Sequence, residues 1–187
     1  LRPELPTPSA PLLTYVASAA LARTLARWVP RHAVEIKWPN DALVGGRKVA
    51  GILTELAADM DAVQWVVVGI GVNLNAGPGD FPPGLRAAAT SLAIERGRPV
   101  PRAPFAASLL LALEGWLERH AGEAFGPVRR AWRERSVTLG REVRVEVEGA
   151  PVEGVAEDLD EGGSLLVRSG ERLVRVVSGD VRLLRPR

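Results

Sequence analysis

Between residues 12 and 28 the apolar positions Leu13, Val16, Ala17, Ala20, Leu21, Leu25 and Trp28 recur at helical spacing. They predict a helix with Ser9 as its N-cap and Pro30 just past its end. The four prolines of residues 1–11 exclude regular helix before it. Residues 33–38 alternate and are β-branched, which predicts a strand, and Pro39-Asn40-Asp41 predicts a turn. Residues 42–44 and 47–56 then form the arms of a hairpin, with Gly45-Gly46 supplying the positive φ angles that a two-residue loop requires. The continuous apolar run 64–74 reads as a buried central strand. A Gly/Pro-rich loop (75–84) follows, then a short helix (87–95), a longer one (103–120) and a final short one (125–135). Phe105, Leu109, Leu110, Leu113, Trp116 and Leu117 share one face of the longer helix.

The pattern changes near Ser136. Residues 143–147 alternate strictly, and residues 152–156, 164–168, 173–177 and 181–184 repeat the strand pattern. Turn residues separate them: Glu148-Gly149, Glu161-Gly162-Gly163 and Ser178-Gly179-Asp180. Five short strands in about fifty residues describe a small SH3-like β-barrel. The fold class expected is therefore α+β, a mixed or antiparallel sheet with flanking helices followed by that barrel, with domains 1–138 and 139–187 and a boundary near residues 138–140.

Composition narrows the classes. No run of about 18 apolar residues is present, which argues against a membrane span. The apolar stretch 11–25 lacks a basic region before it and so does not read as a signal peptide. The absence of cysteine excludes disulfides and thiolate metal sites, and two histidines argue against a dedicated zinc site. These features fit a cytoplasmic protein. Residues 1–135 carry 16 basic and 12 acidic side chains and residues 136–187 carry 8 and 10, so neither half has the basic footprint of a nucleic-acid binder.

One bias is more pointed. Only two of the 24 basic residues are lysines, Lys37 and Lys48, and the only asparagines are Asn40, Asn73 and Asn75. All five fall in the segments 37–48 and 73–75, as if kept for tasks that arginine or aspartate cannot do near a phosphate. Within the first segment, Lys37-Trp38-Pro39-Asn40-Asp41 ends a strand in a turn offering an amide and a carboxylate. The next hairpin arm, Arg47 to Glu55, presents Lys48, which can bury its stem and aim its ammonium into a cleft. Such a fixed charge can stabilise negative charge developing in acyl or phosphoryl transfer. Gly51 would let a ligand lie against the backbone. Trp38 suits core packing better than a ligand wall, Lys37 suits orienting the turn, and Arg47 with Glu55 suits a surface pair. Gly69-Ile70-Gly71 is not a phosphate-binding glycine loop, because it falls inside a strand.

Lys-Trp-Pro-Asn-Asp followed by Arg-Lys-Val-Ala-Gly-Ile-Leu-Thr-Glu, with Gly-Ile-Gly-Val-Asn-Leu-Asn at residues 69–75, resembles the signature of biotin protein ligases. The Leu-Arg-Pro opening, the helix after it and the SH3-like end also occupy family positions, so the resemblance spans essentially the whole chain. It implies a fold like class II synthetases and lipoate ligases, and an enzyme that makes biotinyl-5′-AMP from biotin and MgATP and passes biotin to a lysine of a biotin carboxyl carrier protein. Lys48 would then meet the biotin carboxylate and the ATP α-phosphate. Asp41 would lie near nucleotide and metal and help deprotonate the acceptor lysine. Asn40 and Asn73 would contact the adenylate, with Asn73 towards nucleotide and Mg²⁺. Gly51, Ile52, Gly69, Ile70 and Gly71 would line the biotin and adenylate pocket.

In that family an Arg/Gly-rich loop and a Ser/Thr segment precede the Leu-Arg-Pro region, and neither occurs in this sequence. The resemblance thus implies an N-terminally truncated ligase core, without nucleic-acid binding of its own, and leaves a homodimer open. Two other readings stand beside it: a lipoate-ligase-like acyltransferase, and a catalytically impaired module that binds the carrier.

Overall fold

Small side chains decide how the first helix packs. Helix α1 (Leu12–Trp28) buries Ala17, Ala20 and Ala22 completely, so it can approach its neighbours on more than one side. It lies between a β-sheet and two further helices. Its hydroxyls are spent internally: Thr24 donates to the Ala20 carbonyl at 2.9 Å, Ser18 to that of Thr14 at 2.8 Å, and the Thr14 and Thr54 hydroxyls pair at 2.8 Å. Ser9 does not cap this helix. It ends a 3-10 turn (Thr7–Ser9), and Pro11 takes the N-cap position. The prolines explain the difference, because Pro6 and Pro11 hold φ at −59° and −60° and set the chain's entry without a side-chain acceptor. This computed structural model describes residues 1–3, 6–59, 63–147 and 150–184. The turn expected at Glu148-Gly149 lies outside the described residues.

Four strands, β1 (Val34–Lys37), β2 (Asp41–Val44), β3 (Arg47–Ala58) and β4 (Val63–Val72), form an antiparallel meander in chain order. Gly45 and Gly46 have φ of 57° and 75°, as the two-residue turn between β2 and β3 requires. Strand β4 is not the buried central strand expected from its composition. It is an edge of the described sheet, with Trp65 40% and Val67 53% exposed while Val66 is buried. Helix α1 covers one face of the sheet, so period-two alternation leaves every other apolar residue outside.

After β4 the chain makes two 3-10 turns (Pro78–Asp80 and Pro83–Leu85) and then α2 (Leu92–Arg96), α3 (Arg102–Glu123) and α4 (Gly126–Arg133). Only the end of the segment 87–95 is helical. Ser91 caps α2 by accepting from the Ile94 N–H. Residues 86–88 form a turn instead, and residues 88–90 run alongside β3 and bond to it, with a parallel bridge between Lys48 and Ala89.

Strands β5 (Glu142–Glu146), β6 (Val152–Leu159), β7 (Leu165–Ser169), β8 (Arg172–Val176) and β9 (Asp180–Leu183) form a second antiparallel sheet ordered β8-β7-β6-β5-β9. It wraps an interior of Val143, Val145, Ala156, Leu159, Leu165, Val167 and Val181, all fully buried, in the manner of a small SH3-like barrel. The two sheets are locked together through Trp38, which is 1% exposed. Its indole N–H donates to the Tyr15 hydroxyl at 2.9 Å, Tyr15 donates to the Gly163 carbonyl, and the Trp38 amide donates to Thr138 Oγ1 at 3.0 Å. Burial pushes the Tyr15 phenol well above its ordinary range. Asp158 adds ion pairs to Arg129 at 2.8 Å and Arg133 at 3.2 Å.

Candidate active site

A regular strand would put Lys48 and Gly51 on opposite faces of the sheet. The pairing of β2 with β3 avoids this with a bulge: Ala42 faces Ala50, but Leu43 faces Lys48, so Val49 has no partner. Val49 and Ala50 are consequently both buried against the core. The residues on either side of them, Lys48 and Gly51, therefore present to the same outer face. Asp41 opens β2 opposite Gly51, and Gly51 lies opposite Gly71 on β4. The Lys48 ammonium sits 2.5 Å from Asp41 Oδ1. A Cβ at residue 51 would come 3.6 Å from Lys48 Nζ and 3.7 Å from Asp41 Oδ1, so the ion pair borders the space that Gly51 leaves empty.

Two clefts meet at this row. One, of about 660 Å³, runs from Lys48 and Asp41 past Asn73 to a wall of Phe81, Leu85, Ala88 and Ala89. The other, of about 510 Å³, runs along Asn40, Ile52, Gly69 and Ile70. Asp41, Lys48, Gly51 and Gly71 border both. All nine residues singled out in the sequence therefore converge on one junction.

Their hydrogen bonds differ from what residue type alone suggests. The Asn40 amide donates to the Ile52 carbonyl at 2.8 Å, while the Ile52 N–H donates to the Asn40 carbonyl at 3.0 Å, so Asn40 pins the turn to β3. The Asn73 amide donates to the Thr90 carbonyl at 3.1 Å, fixing the strip 88–90. In both, the side-chain oxygen accepts nothing from another described residue. Asn75 is structural: its amide exchanges two bonds with the Val100 backbone, at 2.9 and 2.7 Å, and it borders neither cleft. Trp38 is core, as expected. Lys37 lines the larger cleft. Arg47 and Glu55 do not pair; Arg47 reaches Glu95 at 2.6 Å, because the short α2 packs beside the hairpin tip and Glu55 lies far along β3.

Sequence reasoning missed the wall at residues 81–89 and Leu183 of β9, which also borders the larger cleft. Phe81 and Leu85 were visible as large apolar residues in an otherwise small and polar loop. Nothing local marks Leu183, which arrives through the packing of the second sheet.

Among the described residues no group of three or more His, Cys, Asp or Glu side chains could hold a metal. Asp41 is the one carboxylate bordering either cleft among them. One carboxylate with an amide oxygen fits Mg²⁺, which takes most of its oxygens from water and substrate phosphates. No helix among the described residues is long and apolar enough to cross a membrane.

Comparison with known proteins yields two family matches. Residues 2–73 match the biotin/lipoate A/B protein ligase family, and residues 138–184 match the biotin protein ligase C-terminal domain. The chain is 34% identical to the bifunctional ligase/repressor BirA of Bacillus subtilis, over 98% of its own length and 56% of that protein. It is 37% identical to the biotin–[acetyl-CoA-carboxylase] ligase of Paracoccus denitrificans, over 90% of its length and 71% of that protein. It thus spans about half the length of the Bacillus relative. Among solved structures, apo biotin protein ligase from Aquifex aeolicus superposes with a TM-score of 0.83 at 24% identity, covering 94% of this chain and 76% of that one. The same enzyme in complex with biotin and ATP gives 0.78 at 26% identity, covering 94% and 72%.

Proposed function

The chain belongs to the biotin protein ligase family, and we propose that the junction of its two clefts is where biotin is activated by ATP before transfer to a carrier lysine. The observation that carries this reading is the bulge at Val49, which sets one ammonium, one carboxylate and an open glycine row between a larger and a smaller cleft. The larger cleft, with its apolar wall, suits a nucleotide. The smaller one, backed by Ile52 and Ile70, suits a compact apolar acid such as biotin.

In the first step a biotin carboxylate oxygen bonds to the ATP α-phosphorus and the bond to the β-phosphate bridge breaks, releasing pyrophosphate. Negative charge gathers on the α-phosphoryl oxygens. Lys48 is placed to meet it, turning from Asp41 as the anions arrive. Asp41, with the Asn73 side-chain oxygen, would hold Mg²⁺, which neutralises phosphate charge. In the second step the carrier amine attacks the mixed anhydride, its proton passes to Asp41, and AMP leaves. Gly51, Gly69 and Gly71 let the ligand lie along bare backbone, and Asn40 holds the turn carrying Asp41. The same reading treats residues 1–138 as the catalytic unit and 139–187 as a second unit contributing Leu183.

Biotin-dependent exchange of pyrophosphate into ATP tests the proposal directly. Exchange that needs biotin and vanishes in Lys48→Ala is expected. Exchange supported only by lipoate would replace the substrate. No exchange alongside retained carrier binding would make the chain a docking module.

A further inference from the structure

Glu95 stands outside both clefts, yet it is among the most enclosed charges in the molecule, with 4% of its side chain exposed. A carboxylate withdrawn from water this far costs several kcal/mol unless its oxygens are met. Glu95 is met three times. Its Oε1 accepts from Arg47 Nη2 at 2.6 Å and from the Thr90 hydroxyl, and its Oε2 lies 3.1 Å from His32 Nδ1.

These three partners belong to three separate segments: the start of β3, the strip 88–90 that runs beside it, and the connection from α1 to β1. Two of them flank Lys48. Arg47 is its neighbour in sequence. The Thr90 amide donates to the Lys48 carbonyl at 2.9 Å, and the Lys48 amide donates to the Ala88 carbonyl at 2.8 Å. The backbone of Lys48 is therefore held between β2 and a strip whose far end is tied to Glu95. The hairpin tip itself is two glycines with no side chains, held on its β1 side by the Gly45 amide donating to the Ala33 carbonyl at 3.0 Å. A Cβ on Gly45 would come within 4.0 Å of Glu95 Oε2, so the carboxylate packs directly beneath that tip.

From this geometry we infer that Glu95 is a positioning residue for Lys48. It acts through Arg47 and Thr90 to fix the hairpin arm and the strip that bracket the ammonium. The inference rests on the reading of Lys48 as the charge that faces the reacting groups, but its structural half can be measured without any substrate.

The chain's two lysines make that measurement simple. Reductive methylation of the full chain with ¹³C-formaldehyde keeps the positive charge and gives each lysine its own methyl signal, and Lys37→Arg assigns them. In Glu95→Ala the Lys48 signal moves to the position of a free lysine, while the Lys37 signal stays. Glu95→Gln, which keeps an acceptor for Arg47 and Thr90, restores the Lys48 signal. A folded Glu95→Ala protein with an unmoved Lys48 signal overturns the inference. Should Glu95→Ala fail to fold, Arg47→Gln cuts the same link from the exposed side and is read by the same criterion. In the exchange assay Glu95→Ala lowers kcat by up to about a hundredfold while KM for biotin stays within about twofold. A parent protein without exchange would sink the proposed activity but leave the methyl result standing on its own.

Discussion

Replacing Gly51 by alanine separates what this glycine does for the fold from what it does for the site. The new Cβ would meet Lys48 Cε and Nζ at 3.6 Å and Asp41 Oδ1 at 3.7 Å. These are ordinary van der Waals distances, and Gly51 is not among the positive-φ glycines, so the strand accepts alanine without strain. Removing a glycine from the unfolded chain then stabilises by about 0.4–1 kcal/mol. For a chain of this size that raises the melting temperature by about 1–4 °C. The same methyl occupies the shared border of the two clefts, where a ligand would lie against bare backbone. Overpacking of one methyl costs about 1–3 kcal/mol, which weakens ligand affinity by about 5- to 150-fold. The expected signature is thus opposite in sign for the two readouts. Differential scanning fluorimetry reports the first, and calorimetric titration with biotin and with a non-hydrolysable biotinyl-AMP analogue reports the second. Unchanged affinity would show that Gly51 does not line the bound ligand. A lower melting temperature would show that the strand, not the ligand, demands glycine.

Lys48→Ala should leave the melting temperature almost unchanged, because its partly exposed pair with Asp41 is worth at most about 1 kcal/mol, while exchange falls by about 10²- to 10³-fold. Tyr15→Phe strips the Gly163 carbonyl of its nearer donor and the Trp38 indole of its nearer acceptor, leaving only the 3.4 Å contact between the two; urea unfolding should show a loss of about 1–3 kcal/mol. Burial works to raise the Asp160 carboxylate, but hydrogen bonds from Arg175 and from the Ser164 and Gly162 amides, together with the Arg175 charge, outweigh it and leave Asp160 below its ordinary value. Its stabilisation is therefore complete above the unfolded value of about 3.9 and fades as pH falls through the lower folded value. Asp160→Asn should flatten the decline in melting temperature below about pH 4, and an unaltered acid limb would refute the assignment.

Local pattern made some elements plain and hid others. Helix α1 and the β2–β3 hairpin follow from short-range chemistry: apolar spacing in one, Gly45-Gly46 in the other. The strands of the second sheet stand within a residue or a few of their expected places, since each alternates and ends in a turn residue. Strand β4 misled because composition cannot say whether a sheet is covered on one face or two. The bulge was invisible, since Val49 and Ala50 are merely two apolar neighbours until β2 is laid beside them. Glu95, read as the end of a helix, acquires its partners only when three segments distant in sequence close around it. The site residues themselves were legible through the scarcity of lysine and asparagine and through a motif resemblance, but their wall and Leu183 depend on tertiary packing.

The unpaired Val49 also makes the site a matter of parity. Substituting other apolar residues at 49 would leave the geometry in place, whereas inserting one residue between Ala42 and Leu43 of β2 would give Val49 a partner and restore an even ladder. Lys48 would then turn towards α1, into a core of alanines and valines with no room for an ammonium. The match in length between the two hairpin arms is thus constrained more tightly than their composition, and a one-residue insertion in β2 should cost both folding and chemistry at once.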